Sequence, residues 1–362
     1  MSQEIIENFS VRKISILNKE GQADPGQMPS LSNDDIRTMY WYMNLARTLN
    51  ARMINLQKQG RLGTFASTKG QEGGEVALAF AAKNYQNIWL VPTFRETPAL
   101  LVRGIPMDHI LQYWGGYEIG HKISKELKVL PVNIPVGSQL EHAQGIAHSM
   151  NLKGEKGAVI VFFGDGATSE GETHEALNFA GVFQTPILFF CQNNQYAISV
   201  PRKKQTAAET LAQKAFAYGY EGIQVDGNDP FATYVVVKQA LEKALNGGGP
   251  TFIEAITYRL DHHTTADDWR KYRSEAEVQE WEKKDPILRL RIYMVNKGIW
   301  NDEHEKGMLA DAEKRVEEAV QIYENTPMPK PEEMFDYLYQ SLPPALLEQK
   351  EKLLKYLGEG HD

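Results

Sequence analysis

Residues 159–201 read VIVFFGDGATSEGETHEALNFAGVFQTPILFFCQNNQYAISVP. Two apolar runs in this stretch, 159–163 and 186–191, are rich in the β-branched and aromatic residues that favour strands, and a segment of helical character separates them. Each run ends in a polar cluster, Gly-Asp-Gly at 164–166 and Gln-Asn-Asn at 192–194. The pattern predicts a strand–helix–strand unit with oxygen-bearing side chains at both strand exits.

Asp165 and Asn194 follow these two strands, and we expect them to lie close together. Ligands of open parallel sheets bind in the crevice outside the carboxyl ends of the strands. A carboxylate, an amide oxygen and the backbone carbonyl near Tyr196 make an incomplete shell of hard oxygen donors. Mg²⁺ completes such a shell with phosphate oxygens and water. These residues therefore predict a site for a metal ion and a phosphate.

The residues around Asp165 bear on the same question. Gly164 and Gly166 allow a phosphate to approach the backbone, and the N–H groups of a helix that starts near Glu172 would face it. A calcium loop is one alternative, and it fails because the sixth position from Asp165 is Glu170 instead of glycine. A tight glycine turn without a metal is the other alternative, and the triplet alone would favour it. The paired asparagines at the next strand exit favour the metal–diphosphate site.

The composition excludes several classes of protein. The chain has 362 residues, 42% of them hydrophobic and 24% charged, which is enough for a large core in one or two domains. A net charge of −8 argues against nucleic acid as a partner. The first ten residues are acidic where a signal peptide needs basic residues, and no apolar run approaches membrane-spanning length. Because Cys191 is the only cysteine, no internal disulfide can form, and a cytoplasmic location is expected.

Strands and helices are predicted to alternate along the chain. The further strands are expected at 88–91, 130–136, 222–226 and 251–260, and the helices at 34–58, 141–153, 206–218 and 230–246. Such alternation predicts an α/β fold, a doubly wound parallel sheet with helices on both faces. We interpret residues 36–330 as one α/β domain, 1–35 as an N-terminal arm and 331–362 as a C-terminal helical tail.

A GDG opening and an NN closing, about 30 residues apart across a βαβ unit, resemble the thiamine diphosphate fingerprint. The surrounding text is similar to the alpha subunits of the thiamine-dependent decarboxylase component of 2-oxo-acid dehydrogenase complexes, pyruvate dehydrogenase first among them. The resemblance runs from about Leu31 to the C-terminus. It includes GRLGTFASTKGQE (60–72), FRE (94–96), PVGSQ (135–139), VDGND (225–229) and YRLDHHTTADDWRKYR (258–273). It implies the thiamine diphosphate-binding fold, with thiamine diphosphate and Mg²⁺ as cofactors.

The resemblance also implies which residues hold these cofactors. The side chains of Asp165 and Asn194 and the carbonyl group of Tyr196 are expected to bind Mg²⁺. Gly166 and Ala167 are expected to present backbone groups to the diphosphate.

Four more residues are placed at the cofactor by the resemblance. Arg95 matches an arginine that contacts the diphosphate, a task that suits a planar guanidinium. Phe94 stands where relatives usually carry tyrosine, so a hydroxyl contact is missing. Ile134 and Val136 are expected to pack against the aminopyrimidine ring and to hold the cofactor in its bent shape. The alternatives are a surface ion pair of Arg95 with Glu96 or a neighbour, and two ordinary core residues in a strand.

Residues 261–273 are dense in titratable groups and have almost no burial pattern. His262 and His263 are adjacent and would point apart in an extended chain, so shared metal chelation is not expected. An ordinary surface loop is one interpretation. The resemblance implies a mobile active-site loop in which His263 is catalytic, contacts the cofactor and stabilises the developing oxyanion or assists acyl transfer. Thr264 stands where animal relatives carry a regulatory phosphoserine.

Two expected groups are missing from the chain. Thiamine chemistry needs a glutamate against the aminopyrimidine ring, and Glu72 and Glu75 resemble no such residue. The partner beta subunit supplies it in the homologous two-chain enzymes, so we expect an α₂β₂ heterotetramer and an inactive isolated chain. Some relatives also place a histidine before Gly120, where this chain has Ile119, and His121 is not assumed to replace it.

The resemblance implies oxidative decarboxylation of a 2-oxo acid, with transfer of the acyl group to a lipoyl domain of the acyltransferase component. Pyruvate is the expected substrate, because GQE (70–72) and PVGSQ (135–139) are similar to pyruvate-specific relatives. The segment HHTTADD (262–268) is also similar to branched-chain enzymes, and acetoin-cleaving relatives share the scaffold. A hypothesis from a different class is a non-catalytic, diphosphate-binding scaffold subunit.

Overall fold

The computed structural model describes residues 3–358 and contains eight strands, six of which form one parallel sheet. The strands are β1 (Arg12–Ile14), β2 (Ile88–Val91), β3 (Ala158–Gly164), β4 (Ile187–Asn193), β5 (Tyr196–Ala197), β6 (Val200–Pro201), β7 (Gly222–Asp226) and β8 (Thr251–Ile256). The order across the main sheet is β1-β7-β8-β4-β3-β2, and β5 pairs with β6 in a separate antiparallel ribbon.

Thirteen α-helices are found in the described part of the chain. They are α1 (Asn33–Lys58), α2 (Glu72–Ala82), α3 (Thr97–Arg103), α4 (Met107–Trp114), α5 (Ser138–Lys153), α6 (Gly171–Phe183), α7 (Arg202–Gln205), α8 (Pro230–Leu245), α9 (Glu275–Glu282), α10 (Pro286–Asn296), α11 (Asp302–Glu324), α12 (Glu333–Asp336) and α13 (Pro344–Gly358). None of them combines the length and the apolar character needed to cross a membrane.

The sheet is buried on both faces, which confirms the predicted doubly wound α/β architecture. Consecutive residues of strand β3 pack against helices on opposite faces of the sheet. Phe162 packs in the apolar cluster that includes helices α1, α2 and α8, whereas Phe163 packs in the cluster that includes α5 and α6. Strands covered on both faces have apolar residues at consecutive positions instead of alternating ones. The unbroken run at 159–163 is the sequence signature of this burial.

The first helix begins as the sequence predicts. Ser32 accepts a hydrogen bond from the backbone N–H of Asp35, and the Asp35 carboxylate accepts one from the backbone N–H of Ser32. This reciprocal capping satisfies two of the N–H groups that a helix leaves unpaired at its start.

Two predicted elements are wrong in detail. Residues 130–136 form no strand, and only the isolated bridge of Val129 with Leu90 is found there. The reason is that Pro131 and Pro135 have no N–H to give to a sheet. The helix predicted at 206–218 is a 3₁₀ segment that begins at Ala212.

The segment that precedes this 3₁₀ turn makes local hydrogen bonds between side chains and backbone. The Oγ1 atoms of Thr206 and Thr210 accept hydrogen bonds from the backbone N–H groups of Ala208 and Gln213. Such local bonds compete with a helical ladder.

Short segments pair with strands β7 and β2 near the two margins of the sheet. Strand β1 pairs in parallel with β7, which places a segment of the N-terminal arm alongside residues 222–226. On the opposite side, the backbone of Leu90 in β2 bonds with Lys128 and Leu130.

Four adjacent strands, β8, β4, β3 and β2, deliver the polar segments that the sequence singles out. Parallel strands end on the same side, so the residues that follow them share one crevice. Arg95 follows β2, Asp165 follows β3, Asn194 follows β4 and the segment leading to His263 follows β8.

Candidate active site

A cavity of about 640 Å³ lies at the carboxyl ends of these strands. All ten residues that the sequence analysis places at the cofactor line it. They are Phe94, Arg95, Ile134, Val136, Asp165, Gly166, Ala167, Asn194, Tyr196 and His263. The volume suits a small organic ligand, because such pockets generally enclose about 300–1,000 Å³. The structure therefore brings the predicted residues together, and their individual roles stay predictions.

Asp165 is placed by strand pairing. Its neighbour Gly164 is the register partner of Gln192, so the first residues after β3 and β4 lie side by side. The Asp165 side chain is 1% exposed, and its Oδ2 atom has no hydrogen-bond partner among the described residues. Burial raises the pKa of Asp165 to about 6, although the backbone N–H of Asn194 and the charge of Arg259 oppose this shift. An unpaired buried carboxylate is a site for a cation.

Asn194 presents its amide in a defined way. Nδ2 donates to Oε1 of Gln71 at 3.1 Å, and Oδ1 accepts from the backbone N–H of Tyr196 at 3.3 Å. The carbonyl group of Tyr196, predicted as the third metal ligand, accepts from Nη1 of Arg259 at 3.2 Å. A carbonyl oxygen has two lone pairs, so one remains for a metal ion.

These donors fit a magnesium diphosphate better than a metal held by protein alone. The residues from 3 to 358 contain no cluster of three or more His, Cys, Asp or Glu side chains able to hold a metal ion. One carboxylate, one amide oxygen and one carbonyl oxygen are the small protein share that Mg²⁺ takes when phosphates and water complete its shell. Helix α6 begins at Gly171, just after this loop, and the N–H groups of a helix start favour an anion.

Arg95 is buried, which excludes the surface ion pair considered from the sequence. Nη1 donates to the carbonyl oxygen of Ser67 at 2.5 Å, and Nη2 donates to the carbonyl oxygen of His263 at 3.1 Å. Burial, together with the charge of Arg259, lowers the pKa of Arg95 to about 9, so the group stays charged at neutral pH. The Glu96 carboxylate accepts from the backbone N–H of Arg95 and from Thr93. A buried cation in the cavity wall is a site for an anionic ligand.

Three apolar side chains line the cavity near these charges. Ile134 and Val136 are 53% and 51% exposed, and they lie in a loop. The alternative of two core residues in a strand is therefore wrong. Phe94 contacts the imidazole of His263 edge-on, with ring centroids 6.2 Å apart.

His263 is held between two arginines. Its Nδ1 atom lies 3.2 Å from Nη2 of Arg95 and 3.2 Å from Nη1 of Arg259. Burial and the charges of these two guanidinium groups lower its pKa to about 3. Its backbone N–H donates to Asp267 at 2.8 Å. The imidazole is therefore neutral at physiological pH and can donate a hydrogen bond in the cavity.

The loop 261–273 is tied to the rest of the domain. Nη2 of Arg273 donates to the carbonyl oxygen of Asp261 at 2.7 Å, and Tyr272 accepts from Nη2 of Arg259 at 2.9 Å and donates to Asp267. His262 turns away from the cavity, and its Nδ1 accepts from the backbone N–H of Trp269. The two histidines therefore point apart, as predicted.

Ile119 and His121 lie outside the main cavity. His121 packs edge-on against Tyr113, with ring centroids 4.7 Å apart, and Ile119 is 49% exposed. Neither residue contacts His263 or Asp165 in the described structure.

Sequence reasoning missed Gln71, Gln192 and Arg259. Gln71 and Gln192 line the cavity, and Arg259 links the Tyr196 carbonyl to His263. The signal for Arg259 was its place at the start of the segment YRLDHH, directly after a buried strand. Gln71 had no comparable signal, because its partner Asn194 is 123 positions away.

Comparisons with known proteins agree on one family. The family described as dehydrogenase E1 component matches residues 40–332. The alpha subunit of the pyruvate dehydrogenase E1 component of Bacillus cereus is 39% identical over 340 residues, which cover 93% of this chain and 91% of that protein. The corresponding subunit of Bacillus subtilis is 38% identical with the same coverage. The alpha subunit of 3-methyl-2-oxobutanoate dehydrogenase of Mycobacterium tuberculosis is 42% identical over 323 residues, covering 89% and 88%.

Proposed function

Because the chain belongs to the dehydrogenase E1 component family, we propose that it is the alpha subunit of a thiamine-diphosphate-dependent pyruvate dehydrogenase. In this proposal it decarboxylates pyruvate together with a beta subunit, in an α₂β₂ heterotetramer. The acetyl group then passes to a lipoyl domain of an acyltransferase component, which leads to acetyl-CoA.

One observation carries this proposal most directly. Asp165 and Asn194 directly follow adjacent parallel strands and line one cavity, and Oδ2 of Asp165 is buried without a hydrogen-bond partner among the described residues. A cation would stabilise such an atom. An anion would stabilise the guanidinium group of Arg95, which is buried in the wall of the same cavity. A magnesium diphosphate meets both requirements at once.

Each residue then has a defined task. Asp165, Asn194 and the Tyr196 carbonyl would hold Mg²⁺, while Gly166, Ala167 and Arg95 would hold the diphosphate. Ile134, Val136 and Phe94 would press on the organic part of the cofactor and exclude water. When bound, thiamine diphosphate supplies the electron sink for decarboxylation.

His263 is the group proposed to act on the reacting atoms. It lies in the cavity wall, and Arg95 and Arg259 fix its Nδ1. Neutral imidazole can donate a hydrogen bond through Nε2 to the developing oxyanion.

A beta subunit is proposed because the similar proteins are named as alpha subunits, and because the buried glutamate of this cavity is already hydrogen-bonded within the chain. Glu96 and Glu170 are the two glutamates among the lining residues. The Glu96 carboxylate accepts hydrogen bonds from Thr93 and Arg95, and Glu170 immediately precedes α6 beside the glycine loop.

A branched-chain 2-oxo acid is the second candidate substrate. The observation in its favour is the identity of 42% to a 3-methyl-2-oxobutanoate dehydrogenase subunit, which is higher than the 39% to the pyruvate dehydrogenase subunit of Bacillus cereus. One methylene in an apolar pocket changes discrimination by only about 1–3 kcal/mol, so modest changes in the cavity separate the two specificities.

The test is reconstitution of the full chain with its beta subunit, thiamine diphosphate and Mg²⁺. Rates of dye reduction are compared side by side for pyruvate, branched 2-oxo acids and acetoin, with and without the beta subunit. The proposal expects turnover only in the mixture, with pyruvate preferred. Faster turnover of branched acids or of acetoin would show that this compound, and not pyruvate, is the substrate. No turnover of any 2-oxo acid would favour the hypothesis of a non-catalytic scaffold subunit.

A further inference from the structure

Three consecutive amide side chains end strand β4, and each donates its N–H to an acceptor on another element. The pairs are Gln192 to Glu75 at 2.8 Å, Asn193 to Glu254 at 2.7 Å and Asn194 to Gln71 at 3.1 Å. The last pair concerns the cavity directly, because both of its members line it.

Gln71 holds one end of the Asn194 amide. Its Oε1 accepts from Nδ2, so Oδ1 is the other end of the amide, and because Oδ1 accepts one hydrogen bond, from the backbone N–H of Tyr196, a lone pair remains for a cation. Gln71 is 1% exposed and immediately precedes helix α2, as its N-cap residue, so the start of the helix fixes its position.

The opposite arrangement would be unsuitable for a cation. If Gln71 donated to Oδ1 of Asn194, that oxygen would face Gln71. The NH₂ group of Asn194 would then face the cation site in its place. An NH₂ group carries partial positive charge and repels a metal ion.

The bond to Asn194 is also the only hydrogen bond that the Gln71 side chain makes within the described residues. Nε2 of Gln71 is buried and has no partner there. Burying an amide with an unpaired N–H carries a desolvation cost. The one hydrogen bond that the side chain does make orients Asn194, a residue of the proposed site.

We propose that Gln71 is a positioning residue for the cation site, because its Oε1 turns the carbonyl oxygen of Asn194 toward the ion that Asp165 binds. This inference rests on the proposed function, since it takes Asp165 and Asn194 as the ligands. Gln71 itself touches neither the metal nor the reacting atoms. Outer-shell partners of this kind set the affinity of the ligands they orient.

The experiment measures the Mg²⁺ concentration needed for half-maximal binding of thiamine diphosphate to the full chain with its beta subunit, followed by tryptophan fluorescence. Gln71→Met removes the acceptor at similar volume, and it is expected to raise this concentration about 10–100-fold. Gln71→Ala, which adds no bulk, is expected to raise it likewise. Gln71→Glu keeps an acceptor for Nδ2 and is expected to recover most of the affinity.

The matched control is Gln112→Met. Gln112 is a buried glutamine on α4 that bonds Thr326 outside the cavity, so this variant is expected to leave the Mg²⁺ requirement unchanged.

A double variant separates positioning from a general structural effect. In an Asn194→Ala background, Gln71→Met is expected to change the Mg²⁺ requirement no further, because the oriented amide is gone. An unchanged requirement in Gln71→Met and Gln71→Ala, or a full additional loss in the double variant, would overturn the role of Gln71. These results would leave the proposed function standing. Absence of thiamine diphosphate binding to the wild-type assembly would instead overturn the proposed function.

Discussion

A guanidinium nitrogen of Arg95 lies 3.2 Å from Nδ1 of His263 and 3.1 Å from its carbonyl oxygen. Arg259 approaches the same Nδ1 at 3.2 Å. A guanidinium group only donates, so Nδ1 is the acceptor, and the proton of the neutral ring resides on Nε2. The two arginines thereby select one tautomer of His263 and leave Nε2–H as the ring's donor.

Loss of this imidazole is expected to affect turnover more than cofactor binding. In His263→Ala, kcat should fall about 100–10,000-fold, the usual range for a positioned acid or base, while affinity for thiamine diphosphate changes little. Steady-state kinetics and cofactor titration of the reconstituted assembly measure the two effects. His262→Ala is the control, since His262 lies outside the cavity, and equal losses in both variants would contradict the assignment.

His263 should also make stability depend on pH. Its folded-state pKa, about 3, lies below the ordinary value of 6.5, so the unfolded chain binds more protons between these two values. The stabilisation is fully present above pH 6.5 and is lost as pH falls toward 3. Urea unfolding of wild type and His263→Gln at pH 7.5, 6 and 5 should show a smaller loss of stability in the variant. Parallel curves would contradict the low pKa.

Asp165→Ala is expected to abolish cofactor binding and to leave the fold intact. The Oδ2 atom bonds to no described protein group, and removal of the carboxylate costs the folded state only its backbone hydrogen bonds, while it relieves the desolvation of a buried charge. Loss of a metal ligand should lower cofactor affinity by at least about 100-fold. Isothermal titration with thiamine diphosphate and Mg²⁺, together with thermal unfolding, checks both parts. Glu313→Ala, on the exposed face of α11, is the control, and micromolar affinity retained in Asp165→Ala would refute the metal site.

Glu75→Gln is expected to stabilise the protein at neutral pH. Glu75 is buried in α2, and burial together with the charges of Glu96 and Glu72 raises its pKa well above the usual range. Its contribution to stability is therefore fully present below about pH 4.5 and is lost as pH rises through the folded-state pKa. Glutamine keeps the acceptor for Gln192 without a charge. Calorimetry should show a higher Tm at pH 8 and little difference at pH 4, and a lower Tm at pH 8 would contradict this.

Arg259→Met should loosen the loop 261–273. The side chain donates to the carbonyl oxygens of Tyr196 and Ile198 and to the hydroxyl of Tyr272. The buried acceptor, the Tyr196 carbonyl, costs about 1–3 kcal/mol when it is left unpaired, so a loss of about that size is expected. Denaturant unfolding measures this loss, and faster hydrogen exchange in residues 261–273 reports the loosening. Arg270→Met changes an exposed arginine of the same loop, and similar exchange in both variants would show that Arg259 does not anchor it.

The elements that the sequence predicts best are those whose signal is local. The apolar run 159–163 needed no knowledge of its neighbours to be identified as a buried strand. The strand predicted at 130–136 is wrong because its apolar residues suggest a strand, while two prolines remove the N–H donors that strand pairing requires. The capping of helix α1 was predictable because Ser32 and Asp35 are three positions apart.

The candidate site was predictable only where a motif marked it. Asp165 and Asn194 sit at strand exits, and topology alone brings such residues together. The contacts of Gln71 and Arg259 join distant segments, from 71 to 194 and from 259 to 196. A single sequence gives no sign of which buried amide or guanidinium will meet which carbonyl group. Their roles emerge only from packing.

The short segments that pair with β7 and β2 bear on how the protein behaves during synthesis and storage. Unpaired strand margins are templates on which foreign polypeptide adds, and aggregates grow from them. Strand β1 occupies that position on β7, at residues 222–226, and the segment around Val129 occupies it on β2. A truncation that removes the short N-terminal strand would therefore expose the margin of β7, the longer of the two strands, to pairing with another chain.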